Sequence, residues 1–225
     1  MRVLAVDTTT ARESVALAEG GLVLGEVRIR AVDNHSTRLM PSIAFLLESL
    51  GMKPADVEGY AVAAGPGSFT GLRVGIGTVQ GLALGSGRPC ASLSSLDALA
   101  ARAASSAEWI VAVMEAHRGE VFVGTYDAEA RRRAEPVAAP LAALLERVPD
   151  GAAFIGDGAE RYREQITAAR PGAVFPRRSL FLAGTVAVMG EAVLAAGGGR
   201  PASELRPLYL READIWKPAP APPRG

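Results

Sequence analysis

One stretch narrows the choice of fold more than any other. Residues 63–87, AAGPGSFTGLRVGIGTVQGLALGSG, hold eight glycines in twenty-five positions, a density that ordinarily marks a loop. Yet Leu72, Val74, Ile76, Val79, Leu82 and Leu84 recur at spacings that a helix buries. Gly77, Gly81 and Gly85 stand four apart on one helical row, and Gly71 and Gly75 lie on an adjacent row. Each interior helix glycine costs about 0.8–1.0 kcal/mol relative to alanine, so a helix from Thr70 to Gly85 has to recover that through packing. A bare row lets another backbone approach closely, as small residues do between membrane helices. Spacing alone leaves two neighbours open: the chain's own sheet, or a helix of a partner chain.

The flanking sequence predicts an α/β fold. Arg2 to Val6 reads as a buried strand, followed by strands from Ser14 to Glu19 and from Leu22 to Arg28, with Gly20-Gly21 as a tight hairpin turn. Leu39, Ile43, Leu46, Leu47 and Leu50 mark one face of a helix that Asp33, Asn34 or Ser36 caps and Gly51 stops; Pro41 belongs in its first turns. VEGYAVAAGPG is a fourth strand, PCASLSS a fifth, and LDALAARAAS a helix. The second half begins with strands Trp109 to Ala116 and Gly119 to Asp127, turning at His117 and Arg118, then alternates helix, strand and helix. Two units follow: 1–103, and a smaller 104–216 whose last helix and tail return to the first. The proline-rich 217–225 is expected to stay extended and disordered.

Charge and cysteine content exclude several classes. Twenty-four basic and 24 acidic side chains cancel, so no global field draws the chain to nucleic acid. A single cysteine, Cys90, permits neither an internal disulfide nor a thiolate zinc site and suits a reducing cytoplasm. No signal-peptide pattern precedes Val3, and no apolar run is long enough to span a membrane.

Candidate chemistry is sparse. Gly65-Pro66-Gly67 joins a strand to a helix, where free amides can hold an anion. Arg73 does not fit the lysine of a P-loop, and Thr70 stands where a dinucleotide fingerprint needs glycine. Asp7, Thr8, Thr9 and Thr10 at the end of the first strand could hold Mg²⁺ and phosphate, or simply turn the chain. His35 has Leu39, not a second histidine, four residues on, which leaves too few ligands for a metal centre. A nucleophile elbow of the G-x-S-x-G type is absent.

LAVDTTT, HSTRLMPSI, AAGPGSFTGLRVGIGTVQGLALG, EAHRGEVFVGTYD and PLYLRE, in that order, resemble the TsaB family, also called YeaZ. The resemblance spans Met1 to about Trp216. It implies an actin-like ATPase fold of the sugar kinase, Hsp70 and actin superfamily (RNase H-like), with two lobes, each built on a mixed five-stranded sheet. It also implies a non-catalytic subunit, a pseudoenzyme required for threonylcarbamoyl transfer to N6 of adenosine 37 in ANN-decoding tRNAs. Such a subunit dimerises with its paralogue TsaD and supports assembly with TsaE. Alone it forms homodimers by the same surface, and it meets tRNA only through the complex. The chain itself is expected to need no cofactor, ATP being used by the complex. Carried onto this sequence, the partner surface comprises His35, Leu39, Met40, Ile43 and Leu47 on the first helix. On the second it comprises Arg73, Val74, Gly77, Thr78, Gly81 and Gly85, while Asp7 to Thr10 become a vestigial phosphate loop. Two alternatives stand beside it. One is an actin-fold ATPase or kinase working through Asp7 to Thr10; the other, weaker, is a glycoprotease-like peptidase, for which no activated nucleophile is visible.

Overall fold

The computed structural model describes residues 1–30, 35–116 and 119–210. The proposed caps Asp33 and Asn34, the turn at His117 and Arg118, and the segment 217–225 lie outside them.

Alternation decides the first sheet. Strands β1 (Val3–Asp7), β2 (Arg12–Glu19) and β3 (Leu22–Arg30) form an antiparallel meander; β4 (Gly59–Gly65) and β5 (Cys90–Ser94) add to it in parallel, giving the order β3-β2-β1-β4-β5. The two-residue hairpin turns at Gly20 (φ 62°) and Gly21 (φ 77°), the positive angles that this turn requires. Successive side chains of β1 point to opposite faces. Leu4 and Val6, with Val15, Leu17 and Val62, face helices α1 (His35–Ser49) and α2 (Phe69–Ser86). Val3 and Ala5, with Ala16, Ala18, Ala61 and Ala63, face the other way, into the core shared with the second half of the chain.

Helix α3 (Ser95–Ala103) leads into that half. Its sheet comprises β6 (Ile110–Glu115), β7 (Glu120–Tyr126), β8 (Val137–Pro140) and β9 (Ala153–Ile155) in the order β8-β7-β6-β9. The five strands expected here are therefore four. The fifth position is reduced to a single parallel bridge between Ala153 and Val174. Helices α4 (Leu141–Arg147), α5 (Asp157–Arg161) and α6 (Arg163–Ala169) cover this sheet's outer face.

The last helix, α7 (Ala183–Ala195), crosses back and packs on the inner face of the first sheet, against β1, β2, β4 and β5. Alanines on that face permit a close approach: a Cβ at Gly190 would fall onto the Cβ of Ala61. In sequence of layers the molecule reads α1–α2, first sheet, α7 with α3, second sheet, α4–α6. No helix among the described residues is long and apolar enough to cross a membrane.

Candidate functional site

The two glycine rows of α2 have opposite surroundings. Ser68 caps the helix, its Oγ accepting from the Gly71 amide at 3.3 Å, and Gly87 closes it in the left-handed conformation (φ 66°). Gly71 and Gly75 lie against the loop after β1. A Cβ at Gly71 would land on the carbonyl oxygen of Thr8, and one at Gly75 on Thr8 Oγ1. Thr8 Oγ1 itself donates to the Gly71 carbonyl at 2.7 Å. This row is therefore glycine because the chain's own backbone occupies the space. By contrast Gly77, Gly81 and Gly85 are exposed, and an added Cβ would meet nothing within 4 Å.

The loop that the buried row covers is closed on every side that donors can show. Asp7 Oδ1 accepts from the Thr9 amide at 3.0 Å and the Thr9 hydroxyl at 2.7 Å, and Oδ2 accepts from the Leu182 amide at 3.3 Å. Burial pushes the Asp7 carboxyl up, and those hydrogen bonds counter the shift only in part. Asp7, Thr8 and Thr9 are fully buried; the Thr9 carbonyl accepts from the Ser68 amide, and half-buried Thr10 accepts from the Arg12 amide. These are the bonds of a packed turn, with the carboxylate committed to protein donors.

Outward from the first sheet lies the α1–α2 surface. Leu39, Ile43 and Leu47, assigned above to a partner surface, are buried against the first sheet. That assignment is corrected: their i, i+4, i+8 stripe is the one the sheet itself covers. Met40 is 48% exposed, and Phe45, which the apolar periodicity passed over, is 62% exposed. On α2, Leu84 is 78% exposed although its spacing pointed inward, while Val74, Thr78 and Leu82 are half-buried. Arg73 is exposed and stacks 3.9 Å from the centroid of Phe69, whose other neighbour is the Tyr209 ring at 5.7 Å. The outer face thus offers apolar side chains from two neighbouring helices with a strip of bare backbone between Arg73 and Leu84.

His35 is placed at the start of α1 by a contact that sequence could not reveal. Its Nδ1 lies 3.1 Å from Oε2 of buried Glu13 on β2, and Ser42 Oγ donates to Glu13 Oε1 at 3.4 Å. The histidine is partnered by a carboxylate of its own chain. Among the described residues no three His, Cys, Asp or Glu side chains gather to hold a metal. Cys90 is buried, its thiol pushed up to about 11 by desolvation.

Comparison with known proteins bears on what this surface serves. Residues 11–206 match the family described as TsaD, tRNA N6-adenosine threonylcarbamoyltransferase. A Haemophilus influenzae protein named tRNA threonylcarbamoyladenosine biosynthesis protein TsaB is 32% identical, over 98% of this chain and 98% of its own. The chain belongs to the TsaB family. A Bacillus subtilis TsaB is 33% identical over 73% of this chain and 67% of its own length. The solved YeaZ of Pseudomonas aeruginosa superposes with a TM-score of 0.78 at 32% identity, covering 93% of this chain and 99% of that one. The ethanolamine utilization protein EutJ of Carboxydothermus hydrogenoformans, at 10% identity, shares the fold with a TM-score of 0.56 over 84% of this chain and 90% of its own. The fold is the actin-like one, with a second sheet one strand short of the expected five.

Proposed function

We propose that this TsaB-family chain is a subunit without turnover of its own in threonylcarbamoyl transfer to N6 of adenosine 37 of tRNA. It acts by pairing through its α1–α2 face with a TsaD-like paralogue, which carries the chemistry, and supports assembly with a TsaE-like ATPase. The complex uses ATP; the chain alone binds no cofactor and forms homodimers by the same face. The setting is the cytoplasm.

The observation that carries this reading is the open row Gly77, Gly81 and Gly85. Packing within the chain explains Gly71 and Gly75 but offers these three nothing, whereas a partner helix laid along them could approach backbone to backbone. Exposed Met40, Phe45 and Leu84 supply apolar area beside it. The committed carboxylate of Asp7 argues in the same direction, against a nucleotide site of the chain's own.

Mixing the chain with the TsaD-like subunit of the same cell and following co-elution by size exclusion tests the pairing. Gly81→Leu is expected to diminish co-elution while the variant stays folded; undiminished co-elution refutes the assigned face. Calorimetric titration of the isolated chain with ATP and Mg²⁺ is expected to give no heat of binding. Low-micromolar binding with turnover would favour the ATPase reading instead.

A further inference from the structure

Zero net charge conceals an uneven distribution. A cavity of about 200 Å³ opens beside the end of β9, lined by Phe154, Gly156 and Phe175 together with Arg163, Arg177 and Arg178. The Arg163 guanidinium lies 4.0 Å from the Phe175 ring centroid, held in place by stacking. Glu160, the carboxylate at this cavity, is taken by Arg12 at 2.6 Å, and half-buried Asp157 lies in the field of the same arginine. The basic surface continues past the cavity. Arg28 pairs with Glu26 at 2.6 Å and lies 5.9 Å from the Phe181 ring, while Arg102 donates to Thr185 Oγ1 at 2.9 Å. Burial, and then the fields of Arg28 and Arg178 working against that of Glu26, hold the Arg102 guanidinium below the usual arginine range. The segment from Arg178 to Phe181 runs from the cavity lining to the ring that Arg28 overlies, and so links the two groups.

Glu26 and Glu160 are the carboxylates that pair with this group, and each already has its arginine. Among the described residues Arg102, Arg163, Arg177 and Arg178 form no ion pair within 4.0 Å, and the last three are exposed. Like charges gathered without counter-charges raise the local potential and favour an anionic partner. Guanidinium groups present planar, paired donors that match phosphate oxygens. The cavity is smaller than the roughly 300–1,000 Å³ that encloses a drug-sized ligand, so it does not enclose a whole nucleotide.

We propose that the arginine surface running from Arg28 through Arg178 to Arg163 binds the phosphodiester backbone of RNA, and so helps to seat the tRNA in the assembly. The choice of RNA rests on the tRNA-modification reading above; the choice of a phosphate ligand rests on the arginines alone.

The test is fluorescence anisotropy of a labelled tRNA transcript with the full chain at about 50 mM salt, where phosphate contacts are strong. The wild-type chain is expected to bind on its own, in departure from the expectation that it meets tRNA only through the complex, and to weaken steeply as salt rises. Arg177→Ser combined with Arg178→Ser changes two exposed side chains and is expected to weaken binding about tenfold or more. It should also reduce the slope of log K against log salt by about 1.4–1.8, the share of two phosphate contacts. Arg88→Ser, at an exposed position just past the end of α2, should leave RNA binding unchanged. Absence of wild-type binding, or equal binding by the double variant, overturns the proposal. Displacement of the tRNA by millimolar inorganic phosphate or ATP at constant ionic strength would assign the cavity to a free phosphate compound and overturn it as well. Size exclusion with the TsaD-like subunit separates the two readings. A double variant that still pairs but has lost RNA binding supports the proposal, whereas a wild-type chain that pairs yet never binds RNA sinks this inference and leaves the pairing intact.

Discussion

Filling the two glycine rows of α2 with alanine should move stability in opposite directions. At Gly77 and Gly81 the new methyl group meets open space. The effect is then the intrinsic preference of an exposed helix interior, about 0.8–1.0 kcal/mol gained per site, or nearly 2 kcal/mol for the pair if the sites add. For a chain of this size about 1 kcal/mol moves Tm by roughly 2–4 °C, so the pair should melt about 3–8 °C higher. At Gly71 the same methyl group lands on the Thr8 carbonyl oxygen, which is backbone and cannot rotate away. Overpacking of that kind costs about 1–3 kcal/mol and outweighs the gain in helix preference. Thermal melts and urea denaturation of Gly71→Ala, Gly81→Ala and the Gly77→Ala, Gly81→Ala pair, at a concentration where the chain is monomeric, read these changes, with an unchanged m-value showing that the folded state is the same. Association should reverse the order for the open row. Gly77→Leu or Gly81→Leu forces a docked helix outward, and a loss of about 1–3 kcal/mol weakens pairing roughly fivefold to 150-fold. A destabilised Gly81→Ala chain, or a Gly71→Ala chain as stable as wild type, would refute the division of the helix into a packed row and a free row.

Two further outcomes test the neighbouring assignments. Leu39→Ala should cost about 2–5 kcal/mol of folding stability by opening a cavity in the core. Met40→Ala, one residue on and exposed, should stay within about 0.5 kcal/mol in folding while weakening association. Glu191 accepts from the amides of Gly20 and Gly21 at 2.8 Å each; burial works to raise its carboxyl, and these bonds hold it below the ordinary 4.5 regardless. A depressed carboxyl contributes stability that is complete above that value and is lost as pH falls through the depressed one. Glu191→Gln should therefore flatten part of the acid limb of a stability profile followed by urea midpoint against pH, and an unaltered limb would count against the assignment.

Much of the first lobe was legible because its signals are local. Alternation in Leu4, Ala5 and Val6, the glycine pair at the hairpin and the capped α2 each follow from neighbours in sequence. The candidate site was legible only in part. Spacing separated the two glycine rows but could not say which one faced the sheet, since that is decided by Thr8, distant in sequence from α2. Leu39, Ile43 and Leu47 form the same apolar stripe whether a sheet or a partner covers it, so periodicity could not assign them. The contact between His35 and Glu13 joins residues 22 apart and left no pattern. Strand β8, Val137 to Pro140, is short and ends in proline, and so carried no strand signal. The arginine surface was hidden by a charge total that sums over faces the fold keeps apart.

The return of α7 has a consequence for how the chain is made. The first sheet has all five of its strands once β5 has formed, but the helix covering its alanine-lined face comes from the last quarter of the sequence. On a ribosome that face stays wet, or in the keeping of a chaperone, until Ala183–Ala195 has emerged. A fragment ending after α3 would keep all five strands yet lack the lid that makes them soluble. The two lobes are therefore separable to the eye but not to a protease or a cloning boundary.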